Sequence, residues 1–343
     1  MDAKHLSVAV SLLDWYDIHH RTLPWRSPPG APAPDPYRVW LSEVMLQQTQ
    51  VATVRPYFLD WTARWPSFAA LAAADDADVM AAWAGLGYYA RARNLLACAR
   101  VVAARGGLPD TEAGLRALPG IGDYTAAAIA AIAFGRRAVV VDANVERVVS
   151  RLFAIETPLP ASRPLIRAHT DSITPDTRAG DFAQAMMDLG STLCTVRAPR
   201  CLLCPIRPGC AAHASGTPET YPRKLVKKAK PQRRGTLFWA ERDGRVLLVR
   251  RPDKGLLGGM RALPTGPWED ADPGLTGAPF AAPWRDAGTV RHGFTHFDLA
   301  CTVMVADAAG VVVDGEWWPV ADIAAAGLPT LFARAITVVE GSR

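Results

Sequence analysis

Cys194, Cys201, Cys204 and Cys210 stand within one short stretch with the spacing C-x6-C-x2-C-x5-C, and no other feature limits so tightly what this chain can fold into. Four thiols that close in sequence belong to one loop, and a loop can wrap them around a single centre. Soft sulfur ligands suit iron-sulfur or zinc centres. Structural zinc sites usually pair two short CxxC-like knuckles, whereas this string has one short pair flanked by single cysteines. A structural zinc and plainly buried thiols are the alternatives. Cys98 and Cys301, the remaining two, lie in apolar contexts that predict core positions.

A chain of 343 residues exceeds the usual single-domain size, so two domains are expected, each with its own core. From residue 6 to about 220 the apolar positions recur at helical spacing, as in Trp40, Val44, Val51, Val54 and Phe58. From 236 onward the pattern turns to Val-rich runs, VLLVRR at 246–251 and LACTVMV at 299–305, with the hairpin dipeptide Asp243-Gly244 before the first. The fold class expected is therefore mainly α, with a smaller α/β module. The domains are expected at 1–221 and 236–343, joined by a basic linker at 222–235. Across this junction TYPRKLVKKAKPQRR, 220–234, carries seven basic residues and no acid, which fits a solvated linker or one that touches DNA.

A sequence pI near 9.0 is a modest bias toward polyanions. The N-terminal stretch carries acids within its short apolar run and reads as an amphipathic helix rather than a signal peptide. No segment approaches the run of about 18 apolar residues that spans a membrane. A soluble, cytoplasmic protein without membrane contact is expected, and cysteine crowding there points to metal rather than disulfides.

Two further stretches carry chemistry. In LPGIGDYTAAAIAAIAFG, 118–135, Gly120 and Gly122 precede an Ala-rich helix. Both can take positive φ and let a phosphate approach the amides of the helix N-terminus, although any glycine turn before a helix reads alike. Two carboxylates stand out as well. Glu43 sits in the helical stretch LSEVMLQQTQV, whose apolar surroundings would raise its pKa by desolvation; an exposed helix charge is the plainer alternative. Asp142 follows VVV and precedes a helix, where it fits a catalytic carboxylate or an ordinary N-cap. General acid-base chemistry can use such a pair, one member protonated and the other ionised.

Taken together, the cysteine string, LPGIG at 118–122, SEVMLQQTQV at 42–51, VDANV at 141–145 and FAQAMMDLG at 182–190 resemble the MutY-type adenine DNA glycosylases. These belong to the helix-hairpin-helix, endonuclease III-like superfamily. The resemblance implies a 4Fe-4S cluster on the four cysteines and a Nudix-like C-terminal recognition module. It implies removal of adenine paired with 8-oxoguanine or guanine in double-stranded DNA, in the base excision repair of a bacterial-type, nucleoid-associated monomer. Glu43 would protonate adenine N7 and later assist water, Asp142 would stabilise the sugar cation, and Asn144 would orient the site. Enzymes of the superfamily that cut the strand carry a lysine near the start of the hairpin's second helix. Tyr124 occupies that region here and joins the catalytic set, and no lysine stands between Lys4 and Lys224. Monofunctional hydrolysis is thus expected.

By the same resemblance Trp25, Arg26 and Gln184 would wall the adenine pocket, while Gln48 and Thr49 would contact the space opposite the flipped base. Tyr88 in GLGYYARARN would be a wedge in the DNA stack, with arginines nearby for phosphates. Arg197, Arg200 and Arg207 of the cysteine loop would meet phosphates too. In the C-terminal module, KGLLGGM and the FTHFDL strand carry the likeness, and Thr295 and His296 would read 8-oxoguanine. No REx2E cluster follows Gly255, which opposes pyrophosphatase chemistry. Ala143 replaces the family's glycine and would be strained if that position needs positive φ. A lyase acting on damaged pyrimidines and a non-catalytic DNA-binding iron-sulfur protein are the competing readings. The missing lysine opposes the first, and retention of Glu43 and Asp142 opposes the second.

Overall fold

The computed structural model describes residues 3–225, 229–252 and 255–342; the side chain of Lys4, the linker residues 226–228 and Lys254 of KGLLGGM lie outside the described residues. The chain divides into two compact units, Met1–Val226 and Lys227–Arg343. Among the described residues no helix is long and apolar enough to cross a membrane.

Unit 1 is helical: α1 (Ala3–His19), α2 (Pro36–Leu46), α3 (Val51–Arg64), α4 (Phe68–Ala72), α5 (Asp76–Ala82), α6 (Ala90–Arg105), α7 (Glu112–Arg116), α8 (Asp123–Phe134), α9 (Ala143–Leu152), α10 (Arg163–Ile173), α11 (Ala179–Thr192) and α12 (Ala211–Ala214). Local chemistry sets several starts. Asp35 accepts from the Tyr37 amide at 2.8 Å with Pro36 in the first turn, and Ser67, Asp75 and Thr111 cap α4, α5 and α7 in the same way.

At the centre runs α8, buried without interruption from Thr125 to Ala133. Its alanines let neighbours approach from every side. A Cβ on Gly180 of α11 would fall 2.5 Å from the Ala131 carbonyl oxygen, so the two helices cross where only glycine fits. One apolar core gathers α2, α3, α6 and α8. A second joins α1, α9, α10 and α11, and Cys194, Cys204 and Cys210 pack against it.

The helical stretch expected across 41–51 is broken. α2 stops at Leu46, Gln48 takes a left-handed conformation at φ 58°, and α3 restarts at Val51. Apolar spacing runs through this break, so periodicity alone conceals it. Arg91 holds it: its guanidinium donates to the carbonyls of Val44, Met45 and Gln47 and to the Thr49 hydroxyl. It thereby satisfies the free C-terminal carbonyls of α2 with a cation.

Unit 2 is a mixed sheet with a helix. Its strands are β1 (Gln232–Arg242), β2 (Arg245–Arg250), β3 (Arg261–Ala262), β4 (Arg285–Gly293), β5 (Asp298–Asp307) and β6 (Glu316–Pro319). Their order is β3-β2-β1-β5-β4, with β6 against β2 and a parallel β1–β5 pair. α13 (Thr330–Gly341) covers the apolar face. Asp243 and Gly244 both have positive φ, as a two-residue hairpin between β1 and β2 requires.

Two expectations are corrected here. FTHFDL is not one strand: Phe294 to Phe297 form the reversal between β4 and β5, closed by Phe294 N–H to the Phe297 carbonyl at 2.9 Å, and Asp298 opens β5. The basic stretch 222–235 is not all linker either. Arg223 pairs with Glu156 on unit 1, and β1 takes up the chain from Gln232 because Gln232 to Arg234 already pair with β5.

Candidate active site

A cavity of about 1430 Å³ opens in unit 1, lined from α2, α8, α9, α11 and the segment before α2. Glu43 enters from the buried side of α2, only 6% exposed although it carries a carboxyl group. Burial pushes its pKa up to about 7, more than the opposing hydrogen bond from Tyr124 and the charge of Arg26 bring it down. Tyr124, the second residue of α8, donates its hydroxyl to Glu43 Oε2 at 2.8 Å and lies 3.6 Å from Met187 Sδ. Burial first, and then the two carboxylates, hold the phenol well above its ordinary pKa, so it stays a donor.

Asp142 stands at the N-cap of α9, where Oδ1 accepts the Val145 amide at 2.7 Å and Oδ2 accepts the Asn144 amide nitrogen at 2.8 Å. It lines the same cavity as Glu43. The two readings of its sequence position therefore coexist: it caps a helix and faces the pocket. Burial raises its pKa, against the pull of those hydrogen bonds and of Arg147. Ala143 opens α9 without positive φ, so the strain expected from replacing glycine does not arise.

Trp25, 4% exposed and edge-on to Phe58, Arg26 and Gln184 also line the cavity. Gln184 is 4% exposed, and among the described residues its carbonyl Oε1 has no partner. An orphaned acceptor inside a pocket is costly unless a ligand supplies a donor. Gln48 and Thr49 lie on the pocket lining at the break after α2. Tyr88 is not in the lining; it sits at φ 49° and is 60% exposed, as a protruding ring must be to enter a stack.

Gly120 has φ 73° and a Cβ there would meet Asn94 at 2.7 Å, but Gly122 does not take the positive φ expected of it. It is the extended N-cap of α8 at φ −91°, with open space where a Cβ would go, which leaves the helix N-terminus bare for an anion. Thr295 and His296 belong to unit 2 and are exposed in its β4–β5 reversal.

Sequence reasoning missed two polar residues and gave a third a different role. Asp188 of α11 is fully buried and accepts from Arg26 Nη1 at 2.7 Å and the Arg21 amide at 3.1 Å, so it fixes a pocket guanidinium. An acid on the apolar face of FAQAMMDLG was the available signal. Arg147 donates to Asn144 Oδ1, the Gly190 carbonyl and the Cys194 carbonyl, which ties the Asp142 corner to the cysteine loop. A Cβ on Gly190 would lie 2.6 Å from Asn144 Cβ, so glycine permits this approach. Arg91, expected among the phosphate contacts, is spent on the α2 terminus.

Each of Cys201, Cys204 and Cys210 has its thiol pKa raised first by burial, and each also feels the charge of neighbouring cysteines. Arg151 donates Nη1 to Cys194 Sγ at 3.3 Å. Among the described residues no three His, Cys, Asp or Glu side chains close on a point as one ion requires. Four thiols on one loop that feel one another's charge, with a cationic donor on one sulfur, are a donor set whose chemistry suits a thiolate-held iron-sulfur cluster.

Residues 41–168 match the HhH-GPD superfamily of base excision DNA repair proteins, and residues 236–338 match the NUDIX domain. Human adenine DNA glycosylase is 35% identical over 89% of this chain and 67% of its own length; that of Mycolicibacterium smegmatis is 42% identical over 70% and 82%. The Arabidopsis thaliana adenine DNA glycosylase is 38% identical, and the chain spans about half, 47%, of its length. Among solved structures, a thermostable thymine-DNA glycosylase superposes with TM-score 0.56 and 26% identity over 62% of this chain and 97% of its own. A trapped endonuclease III–DNA covalent intermediate gives 0.52 and 22% over 63% and 99%, a likeness of fold.

Proposed function

The chain belongs to the adenine DNA glycosylase family, and from that premise we propose that it hydrolyses the N-glycosidic bond of adenine paired with 8-oxoguanine or guanine, without strand-cutting lyase activity. One observation carries the reading. A buried carboxyl with pKa about 7 receives a tyrosine hydroxyl and shares a cavity with a second carboxylate. Half protonated near neutrality, Glu43 can give its proton to N7 of a flipped adenine. The C1′–N9 bond then breaks, its electron pair leaves with the base, and positive charge develops on the sugar. Asp142, held by Val145 and Asn144, stabilises that charge as an anion. Glu43, now ionised, takes a proton from water as the oxygen attacks C1′, which restores the acid and leaves an abasic sugar.

Tyr124 keeps Glu43 in place through both steps, and the orphaned Gln184 Oε1 offers an acceptor for adenine's exocyclic amine. Trp25 and Arg26 wall the base, Gln48, Thr49 and Tyr88 occupy the duplex gap, and Gly120 and Gly122 hold phosphate. The 236–343 module reads the opposite base through Thr295 and His296. Cys194, Cys201, Cys204 and Cys210 would hold a 4Fe-4S cluster, which supplies structural cross-linking of the loop bearing Arg197, Arg200 and Arg207. The protein would act as a cytoplasmic, nucleoid-associated monomer.

A lyase needs an amine at C1′, and among the described residues the cavity lining contains no lysine. The test is a duplex with adenine opposite 8-oxoguanine. Strand breaks are expected only after alkali, and borohydride is expected to trap no covalent complex. Breaks without alkali, or efficient trapping, would overturn the monofunctional assignment; an intact adenine would overturn the activity.

A further inference from the structure

Outside the catalytic cavity, a groove of about 480 Å³ lies in unit 2 where β1 and β5 begin and β4 ends. Pairing puts Arg234 opposite Ala300 and Ala300 opposite Arg291, so two arginines flank one alanine in a single row across three strands. Residues in register share a face of the sheet. Strand spacing sets the two arginine backbones roughly 10 Å apart, and alanine leaves the floor between them low. Both arginines are exposed, and among the described residues neither side chain has an ion-pair partner. Two positions along, the next row is Thr236, Thr302 and Thr289, a polar continuation of the same face. Arg334 reaches the same edge and donates to the Arg291 carbonyl at 2.9 Å.

One acid belongs to the groove: Asp298, whose Oδ2 accepts from Gln232 Nε2 at 3.3 Å. It lies one row nearer the reversal, beside Gly293. Two unpaired guanidiniums across a shallow floor suit an oxyanion, because each can present a fork of donors. Arg291 is three residues from Phe294, where the exposed reversal carrying Thr295 begins.

We propose that the trough between Arg234 and Arg291, floored by Ala300, is a phosphodiester site that holds the backbone of the DNA strand presented to the Phe294–Phe297 reversal. The proposal rests on the reading of this chain as a DNA glycosylase. Its role is positional: phosphate contacts set register, and the reversal then meets a base.

The test uses the full chain and a duplex whose target adenosine carries a cleavage-resistant 2′-fluoro group, opposite 8-oxoguanine or guanine. Arg234→Gln with Arg291→Gln should weaken both duplexes by a similar factor, about 10-fold near physiological salt, and reduce the slope of log affinity against log salt by about 2. Arg234→Lys with Arg291→Lys should keep most of the slope. Unchanged slope and affinity in the glutamine variant overturn the site, as does weakening with a lowered melting temperature and an unchanged slope. Titration with dGMP and with inorganic phosphate separates the sources. Micromolar binding of either, abolished by the glutamine pair while the DNA slope stays intact, overturns a backbone role in favour of a small ligand. If the lesion reading fails instead, parallel duplexes with ordinary deoxyadenosine lose adenine equally opposite 8-oxoguanine and guanine, while the salt slope on the fluorinated duplexes still responds to the arginines.

Discussion

Glu43 and Asp142 differ in kind although both are carboxylates at one cavity. Glu43 is held by a phenol in an apolar helix face and titrates near neutrality, whereas Asp142 is held by an amide nitrogen and a backbone N–H that favour its anion. The Glu43→Gln variant should lose excision by about 10³-fold or more, since Gln accepts the Tyr124 hydroxyl but carries no transferable proton. In the unaltered protein, single-turnover excision should fall as pH rises through about 7, because the acid form is the one that acts. A rate that climbs through that range would reverse the assignment. Asp142→Asn isolates the charge: asparagine caps helices about as well as aspartate, so folding should hold while excision falls on a similar scale. Near-normal excision by that variant would return Asp142 to capping alone. At this scale the sequence was informative about identity and silent about partnership. Glu43 and Asp142 could be singled out as candidates from their surroundings and the family resemblance, but Asp188 on Arg26 and Arg147 on the Gly190 carbonyl join residues far apart in the chain, which no local pattern encodes.

Between elements, the break after α2 depends on one side chain. Arg91, whose pKa burial lowers, serves carbonyls at the end of α2 and the loop leading into α6. Arg91→Leu leaves those carbonyls without a cationic donor, so destabilisation on the order of 3 kcal/mol is expected in urea unfolding. Excision should suffer as well, since Gln48 and Thr49 would lose their fixed loop. A variant as stable as the parent would show that the clamp is dispensable. Helical periodicity revealed that α2 and α3 exist and hid where they part, because Val44 and Val51 keep the same spacing across the gap. The FTHFDL run misled in the opposite direction: taken as one strand on its family likeness, it holds the reversal that antiparallel pairing of β4 with β5 demands, supplied by Phe294 to Phe297.

At the level of the whole molecule, each unit has its own core, and the shift from helical spacing to Val-rich runs marked that division in the sequence. A chain ending at Val226 should retain adenine excision while its preference for 8-oxoguanine over guanine falls; an unaltered preference ratio would remove unit 2 from recognition. The burial of Glu43 has a second consequence, one of proton-linked folding. An unfolded glutamate ionises near 4.5, whereas the folded one waits until about 7. Below the first value both states are protonated and there is no penalty. Between the two the unfolded chain loses its proton first, so folding weakens as pH rises, and above about 7 the loss is complete. The shift corresponds to roughly 3 kcal/mol, a large part of the 5–15 kcal/mol that typically holds a protein folded. The protein should therefore unfold more readily in mild alkali than at pH 5 on this account, and Glu43→Gln should flatten that dependence, leaving an inactive protein that is harder to melt at pH 8 than the active one.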